Sequence, residues 1–261
     1  MNISRMTYPH GTFKLGKAPA KDDERNLKLA SLLKALPSVP KQWDFDTAYP
    51  ATPIPTPMFG NDVHGDCVIA GRAHQTLRFE ALEQKKAIPI ADEDVLREYW
   101  KESGGAGPDF DNGLVVLDSL KVWRTRGWRA ARHTYSIYAF AQIDRKNKAE
   151  VKAAIYLLTG AGAGLQLPLS AEQQTADGKI WDVTGGPGSR PGSWGGHYVY
   201  LSGYTAKGPV CITWGRKQQM TWAFLARYCD ELYAIVDNRD RFVRNSPVDV
   251  RKLEQYLSQL K

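Results

Sequence analysis

Cysteine is scarce in this chain: three residues, at 67, 211 and 229, among 261. Three thiols so widely spaced do not build the disulfide framework of a small secreted domain, or the close pairs of a zinc site. The odd count leaves at least one thiol free and points to reducing surroundings. Histidine is nearly as scarce, at 10, 64, 74, 133 and 197, so any imidazole chemistry has few places to sit. No apolar stretch approaches the roughly 20 residues of a membrane span. The opening Met-Asn-Ile-Ser-Arg-Met-Thr-Tyr-Pro lacks the apolar centre of a secretory signal. The expectation is therefore a protein with no membrane segment, no metal and no cofactor. Its expected location is cytoplasmic, or wherever a phage or secretion particle delivers it.

What is present is ordinary for a globular protein. Hydrophobic residues make up 43% and charged residues 24%, enough to bury a substantial core. The formal charge is +7, but it is scattered. The densest runs, Arg124 to Arg129 and Arg239 to Arg244, match no nucleic-acid motif, so a nucleic-acid partner is disfavoured. Oligomeric state has no signature in these patterns.

The order of elements is informative. Acids followed by Leu27, Leu29, Leu32 and Leu33 predict a helix over 22–36. Six prolines between 37 and 57 predict extended chain. Helices are predicted over 67–85, 92–102, 112–126 and 148–158. Strands follow over 164–169, 197–205, 209–215 and 231–237, with a short helix over 221–229 and an amphipathic one over 248–260. Helices first and strands second is the pattern of an α+β protein with a cleft between its halves. The expected division is an N-terminal arm over 1–35, a domain over 36–240 and a C-terminal helix within 241–261. The domain splits into a helical lobe (about 36–145) and a strand-rich lobe (about 146–240).

The chemistry concentrates in Gly60-Asn61-Asp62-Val63-His64-Gly65-Asp66-Cys67. A glycine-rich loop delivers one thiol to the first turn of a predicted helix, where the helix dipole favours thiolate. Asn61, upstream, carries an amide able to donate to an oxyanion beside the Cys67 N–H. His197 leaves the loop Ser193-Trp194-Gly195-Gly196 at the start of a predicted strand, a position that can face a cleft. His64 is close in sequence but in a loop that turns away, and His74 reads as an interior residue two turns along the helix. Cys211 and Cys229 read as core thiols. Trp181, Trp194, Trp214 and Trp222 are either cleft walls or aromatic core.

Several pieces, in order, resemble the papain-like cysteine peptidases. Leu36-Pro37-Ser38-Val39-Pro40-Lys41-Gln42-Trp43-Asp44-Phe45 resembles the start of the mature enzymes. Gly65-Asp66-Cys67-Val68 resembles their nucleophile loop, with Asn61 where the family has Gln and Asp66 similar to bacteriocin-exporter peptidase domains. Asp111-Asn112-Gly113 looks like the glycine loop. Gly195-Gly196-His197-Tyr198-Val199-Tyr200 resembles the catalytic-histidine strand, and Ile212-Thr213-Trp214-Gly215 the strand ending in Asn-Ser-Trp-Gly.

The resemblance implies a central Cys-bearing helix packed on a barrel-like strand-rich half. It implies Cys67 as nucleophile, His197 as base and acid, and Asn61 with the Cys67 N–H as oxyanion hole, acting on a peptide or protein substrate. Gly65, Asp66, Trp194, Gly196 and Trp214 would line the cleft, and Trp214 would shield the histidine. The residue orienting His197 is open: Ile212 stands at the Asn position, and Thr213, Gln218 and Gln219 are the candidates. The first 35 residues are shorter than the family's long prosegments, which leaves an arm on the cleft or a partner contact. A catalytically silent binding scaffold and a transglutaminase- or deamidase-like acyl transferase are the competing functions.

Overall fold

The computed structural model describes residues 13–33, 35–237 and 249–258. His10, the basic run Arg239 to Arg244 and both ends of the predicted C-terminal helix lie outside the described residues.

An antiparallel sheet of seven strands organises the molecule. Its strands are β1 (Trp43–Asp44), β4 (Ala139–Gln142), β5 (Ala161–Leu167), β6 (Gly195–Tyr204), β7 (Pro209–Thr213), β8 (Arg216–Gln219) and β9 (Cys229–Val236). They run in the order β4-β9-β5-β6-β7-β8, with β1 added to β6. A separate hairpin joins β2 (Trp128–Ala130) to β3 (His133–Tyr135).

Strand side chains alternate between faces, and β9 shows what each face meets. Leu232, Ala234 and Val236 enter one buried cluster with Val151, Ile155, Leu201 and Phe224. Tyr233 and Ile235 enter another with Ile69, Ala73, Leu117 and Trp123. The sheet thus separates two apolar cores. The helices of the second are α3 (Cys67–Gln84), α4 (Asp92–Ser103) and α5 (Val116–Thr125).

Helix α3 is buried along most of its length, including Val68, Ile69 and Ala70. It crosses β6 closely: a Cβ added at Gly71 would lie 2.7 Å from the Tyr198 ring. Lys85, at φ 58°, closes the helix in the left-handed conformation. The contact between α3 and β6 is what carries Cys67 to the start of the histidine strand.

The predicted helix over 22–36 shrinks to one turn, α1 (Leu29–Leu32). The Asp23 carboxylate instead accepts from the Arg25 backbone and side chain and from Lys121. Such local side-chain bonds compete with helix formation. The predicted helix over 112–126 starts only at Val116, because Gly113 has φ 75° and Leu114 pairs with another strand-like segment. Residues 169–176, partly expected as strand, form a helix after Pro168. Strand β4 and the hairpin β2–β3 were too short to read from periodicity. The final helix is Val250–Ser258, anchored by buried Leu253.

Candidate active site

The loop before α3 is shaped by Phe59 and Gly60, both with positive φ. The Val63 and His64 N–H groups then donate back to the Gly60 carbonyl. Asp111 fixes the end of the loop: its carboxylate accepts from the Gly65 N–H at 2.7 Å and the Tyr99 hydroxyl at 2.7 Å, and lies 3.5 Å from His64 Nδ1. The same Tyr99 hydroxyl accepts from the Gly113 N–H. One carboxylate therefore ties the thiol loop to the glycine loop.

Cys67 is 1% exposed at the first position of α3. Its sulfur accepts from the Tyr198 N–H at 3.4 Å, which places the thiol beside the residue that follows His197. Burial pushes the Cys67 thiol up to about 12, despite the facing Tyr198 and Gly16 N–H groups. The helix start alone does not make a thiolate here.

His197 is fully buried on β6. Its Nε2 lies 2.7 Å from Thr213 Oγ1, and its Nδ1 has no hydrogen-bond partner among the described residues. With Nε2–H donating to the hydroxyl, Nδ1 carries the free lone pair. Burial lowers His197 to about 3, so the imidazole is neutral in this arrangement. Trp214 stacks on the ring at 4.2 Å and 13°.

Trp214 and Gly215, at φ 44° and 69°, form the two-residue turn between β7 and β8. That is the geometry of a mirror-image hairpin turn, unusual for a bulky residue. Packing against His197, Trp194 and Phe13 and a bond from Trp214 Nε1 to the Lys14 carbonyl hold it there. Gln218 donates to the Lys179 and Gln219 carbonyls, and Gln219 pairs with Thr205. Of the three candidates, Thr213 is the one at the histidine.

Residues 13–18 run through this site as extended chain. The Lys17 N–H donates to the Gly196 carbonyl at 3.0 Å, the Ala18 N–H to the Leu114 carbonyl at 2.9 Å, and the Leu114 N–H to the Gly16 carbonyl at 2.9 Å. Glycines make the space: a Cβ at Gly113 would lie 2.1 Å from the Gly16 carbonyl oxygen, and one at Gly196 would lie 2.2 Å from that of Lys17. Leu15 packs on Gly195, and Gly16 on Gly65. The chain's own N-terminal segment thus lies against the thiol loop, the glycine loop and the start of β6.

No family model and no curated protein sequence matches the chain. Its fold does have solved counterparts. Xylellain, a cysteine protease from Xylella fastidiosa, aligns over 90% of this chain and 100% of its own, with a TM-score of 0.66 and 14% identity. The fold is papain-like. Procathepsin B S9 from Trypanosoma congolense aligns over 88% of this chain and 87% of its own (TM-score 0.59, 10% identity). The Carica candamarcensis cysteine protease CMS1MS2 aligns over 77% and 100% (TM-score 0.54, 13% identity).

Within this papain-like fold, Asn61 is buried beside the thiol loop, and its amide donates to the His64 carbonyl at 3.1 Å. Burial holds the Asp66 carboxyl well above the usual carboxylate range, against the pull of the Asn61 side chain. His74 is an interior residue, lowered by burial to about 3. Cys211 and Cys229 are buried in the sheet. Trp181, Trp214 and Trp222 are buried, and Trp194 is half-buried against Trp214. No helix among the described residues is long and apolar enough to cross a membrane.

Sequence reasoning missed Asp111 as the residue that ties two loops, and it missed Lys17. The Lys17 side chain is fully buried between Asp230 and Glu231, more than 200 residues away. The available signal was the set of glycines at 16, 65, 113 and 196, which marks close backbone approach but not its partners.

Proposed function

We infer that this chain is a cysteine peptidase or amidase that is closed by its own N-terminal segment. The observation that carries the reading is the hydrogen bond between His197 Nε2 and Thr213 Oγ1. With Nε2–H as donor, Nδ1 is the free base, on the residue next to the one whose N–H meets the Cys67 sulfur.

In the open site, Nδ1 of His197 takes the Cys67 proton. The resulting thiolate attacks the carbonyl carbon of a peptide substrate, and the carbonyl electron pair moves to oxygen. The Cys67 N–H and the Asn61 amide, freed from the His64 carbonyl, hold that oxyanion. The carbonyl re-forms as the amine leaves with the proton from Nδ1, giving an acyl-thioester. Water, deprotonated by the same nitrogen, then releases the acid and restores the thiol. Thr213 keeps the imidazole in the tautomer that this sequence needs.

Residues 13–18 occupy the groove between Gly65, Leu114 and Gly196, where an extended peptide would lie. The Gly16 N–H is directed at the Cys67 sulfur, so the segment blocks the site through a donor group.

The test is the full chain carrying Gly16→Leu, which has no room against Gly65. We expect it to hydrolyse fluorogenic peptide amides, with activity lost on adding Cys67→Ala. Peptide binding without hydrolysis or acyl transfer would instead support a silent scaffold, and transfer to an added amine an acyl transferase.

A further inference from the structure

Lys17 is a fully buried cation in a peptide-like segment, and its burial is supported on every side. Its Nζ donates to Asp230 at 2.9 Å and to the Ala18 carbonyl at 3.1 Å, and lies 3.2 Å from Glu231. Gln166 donates to the same Asp230 oxygen at 2.7 Å and so fixes its direction. The floor of the notch is Gly164, where a Cβ would come within 2.4 Å of Lys17 Cε.

Two consecutive residues of a regular strand point to opposite faces. Here they do not, because the pairing of β5 with β9 shifts: Gly164 faces Glu231 while Leu165 faces Cys229. Asp230 is the extra residue of this bulge, a device that re-aims side chains beside functional sites. The irregularity brings both carboxylates onto one cation.

We propose that the notch formed by Asp230, Glu231, Gly164 and Gln166 is the specificity pocket of the cleft, selecting substrates with a lysine or arginine at the position now held by Lys17. This rests on the peptidase reading above and names the substrate class of that site. Lys17 occupies the pocket as an internal stand-in. When the segment leaves, two carboxylates remain beside a glycine floor, in a groove whose backbone groups at Leu114 and Gly196 bind an extended chain. A substrate residue bracketed by those groups puts its side chain into the notch. A basic side chain restores the charge balance, whereas a neutral one leaves the buried Glu231 and the half-buried Asp230 without a cation.

The experiment uses the full chain opened by Gly16→Leu, and a second opened form, Lys17→Ala, in case the first does not fold. Fluorogenic peptide amides carry Lys, Arg, norleucine or Glu scanned through the positions before the scissile bond. At one position, Lys and Arg should exceed norleucine by roughly 10–100-fold in kcat/KM, the scale of a charge-assisted hydrogen bond. Adding Asp230→Asn with Glu231→Gln should bring that ratio close to one. A ratio near one in the opened chain, or one that survives the two substitutions, overturns the pocket. Binding is read separately by calorimetry in the Cys67→Ala form of the opened chain, with lysine and norleucine versions of one peptide. Selective binding of the lysine peptide without hydrolysis in the Cys67 form overturns the peptidase reading and keeps the pocket. Equal binding of both peptides overturns the pocket whatever the activity.

Discussion

Gly16 rests on Gly65 so closely that a Cβ at Gly16 would lie 1.8 Å from the Gly65 carbonyl oxygen. This contact puts the N-terminal segment directly over the loop that carries Cys67. In the proposed closed form this segment keeps water from the thiol, whose charged form needs it.

Cys67 in the intact chain should therefore alkylate slowly with iodoacetamide at pH 7. The Gly16→Leu chain should react about 100-fold faster at Cys67, with Cys211 and Cys229 slow in both. Peptide mapping by mass spectrometry reads all three. Equal rates at Cys67 in the two chains would mean that the segment does not cover the site.

Thr213→Val should lower kcat of the opened chain by about 10-fold, the scale of one hydrogen bond. KM should change little, because the hydroxyl touches the histidine rather than the groove. Thr213→Asn, which can still bond Nε2, should recover part of the loss. His197→Ala should cost at least ~10³-fold, and Asn61→Ala about 10²–10³-fold. Steady-state kinetics on one peptide amide checks the series.

The pH dependence has a definite sign. In the closed form burial lowers His197 from 6.5 to about 3, so between those values the open form binds more protons. Falling pH through that window favours opening, and above about 6.5 the effect is absent. Alkylation of Cys67 in the intact chain, divided by that of Gly16→Leu, should rise from pH 7 to pH 5. A ratio that falls instead would place the protonation step elsewhere.

Asp111→Ala should weaken both fold and site. It leaves the Gly65 N–H and the Tyr99 hydroxyl without their acceptor, at a cost of about 2–3 kcal/mol. Thermal unfolding should show a lower midpoint, and the opened variant should lose activity beyond its loss of folded protein. Asp111→Asn, which keeps one accepting oxygen, should fall between the two.

Much of this arrangement was legible in the residues themselves. The Gly-rich run into an apolar helix set Cys67 at a helix start, since loop glycines and helix periodicity are local signals. His197 at the head of β6 was equally local, whereas the strand read over 209–215 stops at Thr213, because Trp214 and Gly215 take positive φ and turn into β8. Apolar alternation assigned the strands, and the spacing of 16 residues from His197 to Thr213 is bridged within one sheet.

Only the tertiary structure decided what these groups meet. Which hydroxyl reaches Nε2 depended on the register of β6, β7 and β8. The failure of the helix over 22–28 depended on where Asp23 found its partners. The protonation of Cys67 and His197 was decided by burial in the assembled fold, and the place of residues 13–18 in the groove rests on glycines and carboxylates scattered from Gly65 to Glu231. Local propensity carries no information about such long-range contacts. They arise from complementarity of backbone and charge that exists only once the sheet is assembled.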